Sequence, residues 1–406
     1  MATHAQYAPQ FKIEIGGDPL PPALRGSIIS LSYQNGIEGS DSVDLTVANQ
    51  DLRWLDHPLL AVDQRFKLFI GYAPDPLDTE IFVGEITAVE PSFPNSGMPT
   101  IKVTAHDFLQ RLTHGKVDRA FALKLPKIGI FPLPDVAVAS LVSAANILEP
   151  RPDLVGGALS VLMTLAAMAV VPQDSQRAIR RQERETDFEF LSAIAKENGW
   201  EMYIDHTADP KGYVLRFQFL IQDYSSSLTL KWGQSLLDFS PRLTTVGDLF
   251  GVTARLWIAS LQTEFVIVVS WDYDRAAFNL SIYPGLGDID SLLGEKAKKT
   301  LSIKPSGFPG ALQDILAELL PRLNNRQTAT GSCIGDTRIM AGKVIDFEGL
   351  GDQFGGKYRV TSATHTIDAS GYKTSFKARK EVWFGSIPRP KGFGGLARVQ
   401  GNRIGL

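Results

Sequence analysis

Residues 101–112 read Ile101-Lys102-Val103-Thr104-Ala105-His106-Asp107-Phe108-Leu109-Gln110-Arg111-Leu112. The first half alternates apolar with polar, which sets Ile101, Val103 and Ala105 on one face of a strand. The alternation ends at His106, and Asp107 starts a turn of helix over residues 108–112. Upstream the same period recurs. Phe11, Ile13 and Ile15 share a parity, as do Val43, Leu45 and Val47, and Phe66, Leu68, Ile70 and Tyr72. Gly16-Gly17, Asn35-Gly36, residues 74–76 and residues 94–97 punctuate these runs as turns. Short strands at this spacing, without a helical period between them, predict an antiparallel sandwich or small barrel over residues 1–112.

Residues 113–227 have a different texture. Apolar residues fall at helical spacing over 135–147. Thr186 and Glu189 form a capping box ahead of Phe188, Leu191, Ile194 and Ala195 on one helical face. Gly199 ends that helix. Trp200, Met202 and Ile204 then read as a strand, residues 206–212 as a turn and residues 213–220 as a returning strand. The reading is a small mixed α/β domain inserted between two β domains.

Alternation returns over residues 228–380, at Val252, Ala254 and Leu256, at Ile345 and Phe347, at Tyr358 and Val360, and at Tyr372, Thr374 and Phe376. One helix interrupts it over residues 311–323, with Leu312, Ile315, Leu319 and Leu320 on one side. There is an internal echo: residues 65–69, Gly84 and residues 101–105 match in pattern residues 342–346, Gly356 and residues 376–378. Either the chain contains a structural repeat, or two unrelated β domains share strand composition. The fold class is therefore mainly β with an α+β insertion: two β-barrel domains plus a small mixed α/β domain, followed by a tail at 381–406.

The totals narrow the function. At about 150 residues per domain, 406 residues make two or three domains. With 41 basic and 44 acidic residues the formal net charge is −3, which argues against a nucleic-acid binder and against general attraction to anionic membranes. A lone cysteine, Cys333, allows no internal disulfide and points to a reducing compartment. Residues 1–10 lack the apolar core of a secretory signal, so synthesis in the cytoplasm is expected.

Chemistry-bearing motifs are absent. None of His4, His57, His106, His114, His206 and His365 sits in an HExxH spacing, and one cysteine cannot build a CxxC zinc site. There is no GxSxG elbow and no GxxxxGK[ST] phosphate loop. Gly285-Leu286-Gly287 and Gly349-Leu350-Gly351 read as turns, and Asp288 with Asp290 as a loop pair. His106 and Asp107 are adjacent on a strand and point to opposite faces, so they do not form an acid/base pair. The expectation is no catalytic, cofactor or metal site, with a metal site built from His and Asp distant in sequence as the minor alternative.

Four stretches carry a resemblance. They are residues 82–86 with Glu90-Pro91 and 106–112; residues 184–191 running into Gly199-Trp200; residues 236–241; and residues 356–365 ending at 371–374. In this order over most of the chain they resemble the late control gene D family of phage tail proteins. That family includes baseplate hubs of contractile phage tails and extracellular injection systems. They are also similar to the N-terminal part of VgrG spike proteins. The resemblance implies a non-enzymatic homotrimer whose subunits each supply two similar barrels, so that six similar domains in a ring join a hexameric inner tube to a trimeric spike. The implied partners are the tube protein, the spike protein and other baseplate proteins, in an assembled virion-like particle. Two other readings remain. A cell-wall hydrolase would need about 100 residues of its own. A receptor- or glycan-binding module would cluster its aromatics, whereas Trp54, Trp232, Trp257, Trp271 and Trp383 are scattered.

Two segments depart from that family's pattern. Residues 154–171 carry no charge. Pro152 and Pro172 bracket the run, and Gly156, Gly157, Ser160 and Thr164 keep it only mildly hydrophobic, so a buried helix at a trimer axis is expected and stable membrane insertion is not. Leu159, Leu162, Met163, Leu165 and Met168 are its candidate axis or channel residues. The tail after Lys380 has Arg389, Lys391, Arg398 and Arg403 without an acidic residue from Val382 on. With Trp383 and Phe393 these are candidate contacts of an arm docking on the spike; the alternative is a disordered terminus.

Overall fold

The computed structural model describes residues 8–125, 129–170, 179–219, 225–244, 251–258, 262–272, 277–284, 300–303 and 311–381. The first segment holds β1 (Pro9–Ile15), β2 (Asp18–Pro19), helix α1 (Pro22–Arg25), β3 (Ile28–Gly36), β4 (Ser42–Ala48), β5 (Arg65–Tyr72), β6 (Glu80–Ser92) and β7 (Thr100–Asp107). The middle segment holds β8 (Val117–Leu125), β9 (Gly129–Pro132), α2 (Asp135–Ala145), β10 (Glu149–Pro152), α3 (Leu154–Val170), β11 (Arg180–Glu185), α4 (Asp187–Glu197), β12 (Glu201–Ile204) and β13 (Val214–Gln218). The third holds β14 (Ser226–Lys231), β15 (Leu236–Leu243), β16 (Gly251–Ile258), β17 (Thr263–Asp272), β18 (Ala277–Pro284), β19 (Thr300–Ile303), α5 (Ala311–Asn324), β20 (Gln327–Ile334), β21 (Val344–Glu348), α6 (Gly351–Phe354), β22 (Gly356–Asp368) and β23 (Gly371–Arg379).

The alternation that predicted strands is the alternation of burial. Val43, Leu45 and Val47 of β4 and Ile101, Val103 and Ala105 of β7 all point into the first core, while Ser42, Asp44, Thr46, Lys102 and Thr104 do not. Asp107 caps the 3-10 turn Phe108–Thr113 by accepting the Leu109 N–H at 3.1 Å. The structure bears out a mainly β chain but not the count of two barrels. The β segments merge into one 13-stranded sheet, and no barrel closes among the described strands. Within it the halves share one topology. The first runs β1-β5-β6-β7-β4-β3 and the second β14-β21-β22-β23-β20-β15, the same spatial order of six successive strands. The echo segments fall on β5-β6-β7 and on β21-β22-β23 with the residues preceding it, the same meander in each half. One pairing differs: β1 meets β5 antiparallel, whereas β14 meets β21 parallel.

The joint between halves is made by β22. Its first residues pair with β21; a bulge between Val360 and Ser362 then frees Ser362–Ile367 to pair with β3. The cores follow: Tyr372 and Met340, from the second half, pack into the first core.

The third segment carries something the period-two reading did not separate. Between β15 and β20, where the first half has only a short turn, sits a second sheet ordered β18-β17-β16-β19 with β16 and β19 parallel. Helix α5 packs on it and buries Ile315, Leu319, Leu320 and Leu323.

The middle segment carries both helices and strands. Two small sheets, β10-β13-β12 and β11-β8-β9, surround α2, α3 and α4. The capping box is present: Thr186 Oγ1 accepts the Glu189 N–H at 3.1 Å and Glu189 Oε2 accepts the Thr186 N–H at 2.9 Å. Gly199, at φ +66°, terminates α4. Thr186→Ala should cost about 1 kcal/mol, read as a shift in the denaturant midpoint with unchanged slope.

Candidate functional site

The inserted unit touches both sheet halves through β12 and the turn after it, and each contact is a buried polar cluster. On the first half, His206 reaches into the end of the β4–β7 pair. Its Nε2 lies 3.3 Å from Asp41 Oδ2 and 4.0 Å from Asp107 Oδ2, and all three side chains are buried. Asp107 is already engaged: Ser40 Oγ donates to it at 2.5 Å, the Asp41 N–H at 3.0 Å and the Leu109 N–H at 3.1 Å. Asp41 accepts from the Gly36 N–H at 2.9 Å and Asn35 Nδ2 at 3.3 Å. Burial, then the charge of Asp41, pushes the Asp107 carboxyl up to about 7.

Asp41, Asp107 and His206 each offer one ligand atom within 4.8 Å of one another, a set that could hold a metal ion. His206 Nδ1 accepts the Val83 N–H at 3.4 Å, and its Nε2, which faces both carboxylates, has no well-directed hydrogen-bond partner. The cluster holds the turn after β12 against the end of the β4–β7 pair.

The second cluster ties β12 to β22 and β23. Arg359 Nη1 lies 2.6 Å from Glu201 Oε2 and 3.5 Å from Glu381 Oε1; Arg379 Nη2 lies 2.5 Å from Glu201 and 2.9 Å from Glu381. Gln218 Oε1 accepts from Arg359 at 3.0 Å and from Tyr203 at 2.8 Å. Burial opposes ionisation of Glu201, yet Arg359 and Arg379 hold its pKa below the ordinary value. Burial likewise works against the Arg359 charge, and Glu201 and Glu381 outweigh it. The polar lock recurs by topology. Asp41 and Asp107, at the end of the β4–β7 pair, correspond to Gln327 and Lys380 at the end of β20–β23, and Lys380 donates to the Gly355 carbonyl at 2.6 Å.

Between these clusters lies a cleft of about 1170 Å³ where all three segments meet, lined by Arg151, Lys211, Arg216, Arg338 and Lys343 against Glu80, Asp153 and Asp205. Among its described lining residues no hydroxyl is hydrogen-bonded to a histidine. The hydroxyl–histidine pair with Thr87 Oγ1 2.6 Å from His106 Nδ1 lies outside it, on the exposed face of β6 and β7. His365 is packed in the core, its Nδ1 2.8 Å from Tyr372 Oη and its Nε2 3.0 Å from the Ile339 carbonyl.

The sequence-derived candidates fall elsewhere. Trp383, Arg389, Lys391, Phe393, Arg398 and Arg403 lie outside the described residues. Leu159, Leu162, Met163, Leu165 and Met168 lie on α3; Leu162 and Leu165 are exposed in the single chain, and the side chains of Leu159, Met163 and Met168 lie outside those described. Among the described residues no helix is long and apolar enough to cross a membrane. Neither polar cluster was foreseen. The one local signal was the Asp107 cap, and its partners come from 66 and 99 residues away in sequence.

No protein-family model and no curated protein sequence matches the chain. Solved structures do. The 43 kDa tail protein of prophage MuSo2 from Shewanella oneidensis is 15% identical, with 91% of this chain and 98% of that chain covered at a TM-score of 0.59. The fold is that of phage tail proteins. A tail protein from Neisseria meningitidis MC58 shares this tail fold at 12% identity and TM-score 0.56, over 92% of this chain and 97% of that one. So does a type VI secretion component from E. coli, itself described as structurally similar to bacteriophage T4 tail proteins, at 12% identity and TM-score 0.53, over 96% of this chain and 80% of that one.

Proposed function

We propose that this chain is the structural hub of a contractile tail or injection particle, a non-catalytic trimer joining a hexameric inner tube to a trimeric spike. The observation that carries the reading is the doubled topology: two six-stranded halves with one strand order, fused edge to edge through β22 and β3. Three such chains present six similar platforms, which is what a sixfold tube requires of a threefold adaptor. Each half plays the part of one barrel domain, the inserted unit braces the two through its buried clusters, and the tail-protein fold supports the assignment. A brace made of largely buried charge pairs fixes relative orientation more than it adds stability, and a load-transmitting ring needs fixed orientation.

Electron microscopy of the chain co-expressed with the tube and spike proteins of its own particle tests this. The expected result is a threefold ring with six equivalent lobes, tube density on one side and spike density on the other. A monomer that binds neither protein overturns the reading.

A further inference from the structure

Of the 19 large hydrophobic side chains exposed among the described residues, nine lie between residues 113 and 227. Four of them, Leu154, Val161, Leu162 and Leu165, are on α3. A surface helix normally turns its apolar stripe inward, yet these four side chains are exposed. Gly156 and Ser160 are buried against the body. A Cβ at Gly156 would stand 2.8 Å from Trp200 Nε1 and 2.9 Å from Phe219 Cβ, and Ser160 Oγ accepts the Val136 N–H at 3.2 Å. Asp153 caps the start of α3 through the Gly156 N–H at 2.8 Å. The exposed positions 154, 158, 161 and 165 step by four, three and four, the spacing of a helix–helix seam, and Leu162 widens the stripe.

We propose that α3 docks on the α3 of further copies of this chain, forming a parallel seam around their common axis. The proposal rests on the trimeric reading above. No residue of α3 is charged, so identical helices meet without like-charge repulsion. A lipid surface is the poorer occupant, because interfacial helices carry Lys and Arg on their polar face. A 17-residue helix is about 25 Å long and about 10 Å across, so the stripe offers roughly 250 Å² against the roughly 800 Å² per partner of a stable interface. The seam is therefore part of a wider contact, to which the exposed Leu123, Ile130, Leu141 and Ile147 of the same unit can contribute.

The test uses the full chain in two variants. Leu165→Cys should cross-link between copies under a short bis-maleimide. The wild type, whose only thiol, Cys333, is buried, is the control. Leu162→Glu with Leu165→Glu should raise the dissociation constant in sedimentation at least tenfold, with circular dichroism unchanged because both positions are exposed in the single chain. If copies assemble but the introduced cysteine does not cross-link and the double variant assembles like wild type, the seam is overturned and the trimeric reading stands. If the wild type stays monomeric at every concentration, with or without tube and spike, both fall.

Discussion

Replacing Arg359 with Met lowers the unfolding free energy by about 3 kcal/mol or more, the loss expected when one partner of a buried ion cluster is removed. The guanidinium is 3% exposed and its two carboxylate neighbours are 16% and 0% exposed. Without it, Glu201 and Glu381 share Arg379 alone, and one carboxylate is left with too few donors in a place water does not reach. The alignment is already imperfect: Arg359 Nη1 is 2.6 Å from Glu201 Oε2, yet neither that oxygen nor Arg359 Nε makes a well-directed hydrogen bond. A cluster with unspent polar capacity has little reserve. Equilibrium guanidinium unfolding reads the effect. A midpoint shift no larger than that of Thr186→Ala would mean the cluster is solvated and does not brace β12 against β22 and β23.

His365→Gln changes the pH dependence of stability rather than only its level. Burial holds the His365 pKa down at about 4, against about 6.5 in an unfolded chain. Between those values the unfolded state binds a proton the native state refuses, so the wild type loses stability as pH falls from 6.5 to 4. At about 1.4 kcal/mol per pH unit the loss is roughly 3 kcal/mol. Asp107 pulls the other way. Its native pKa of about 7 lies above the ordinary 3.8, so its protonation favours the folded state as pH drops through the same window. The wild type should thus be nearly flat from pH 7 to 4, two opposing slopes concealing each other. The glutamine side chain of the variant keeps a donor for the Ile339 carbonyl but does not titrate. The stability gap between wild type and variant should shrink by roughly 3 kcal/mol from pH 7 to 4. A gap independent of pH would show that His365 charges freely and is not sealed in the core.

The sequence was informative wherever one residue spacing carried the physics. Val43, Leu45 and Val47, or Tyr372, Thr374 and Phe376, announce a buried face because a strand's side chains alternate. Thr186 and Glu189 announce a helix start because both partners of the capping box lie within four residues. Even the echo of residues 65–105 in residues 342–378 pointed to the repeat, since each copy of the meander needs the same in-and-out pattern. It could not show that the halves share an edge. Both sides of the β22–β3 pairing look like ordinary half-buried strands, and only the bulge after Val360 lets one strand serve two neighbours. The same limit let the β16–β19 sheet pass for part of a single barrel: period two says strand but not which sheet.

What the sequence determined by itself, then, is the alternating strand faces, the capped helix start at Thr186 and the absence of local catalytic motifs, all of which rest on residues within about a dozen positions of one another. The tertiary structure alone decided the joining of the halves, the exposure of Leu154, Val161, Leu162 and Leu165 on α3, and the two buried clusters. His206 meets Asp41 across 165 residues, and Arg359 meets Glu201 across 158. Those pairings exist because burial makes an unpaired charge intolerable, and which charges are buried together is a property of the packed chain, not of any stretch of it.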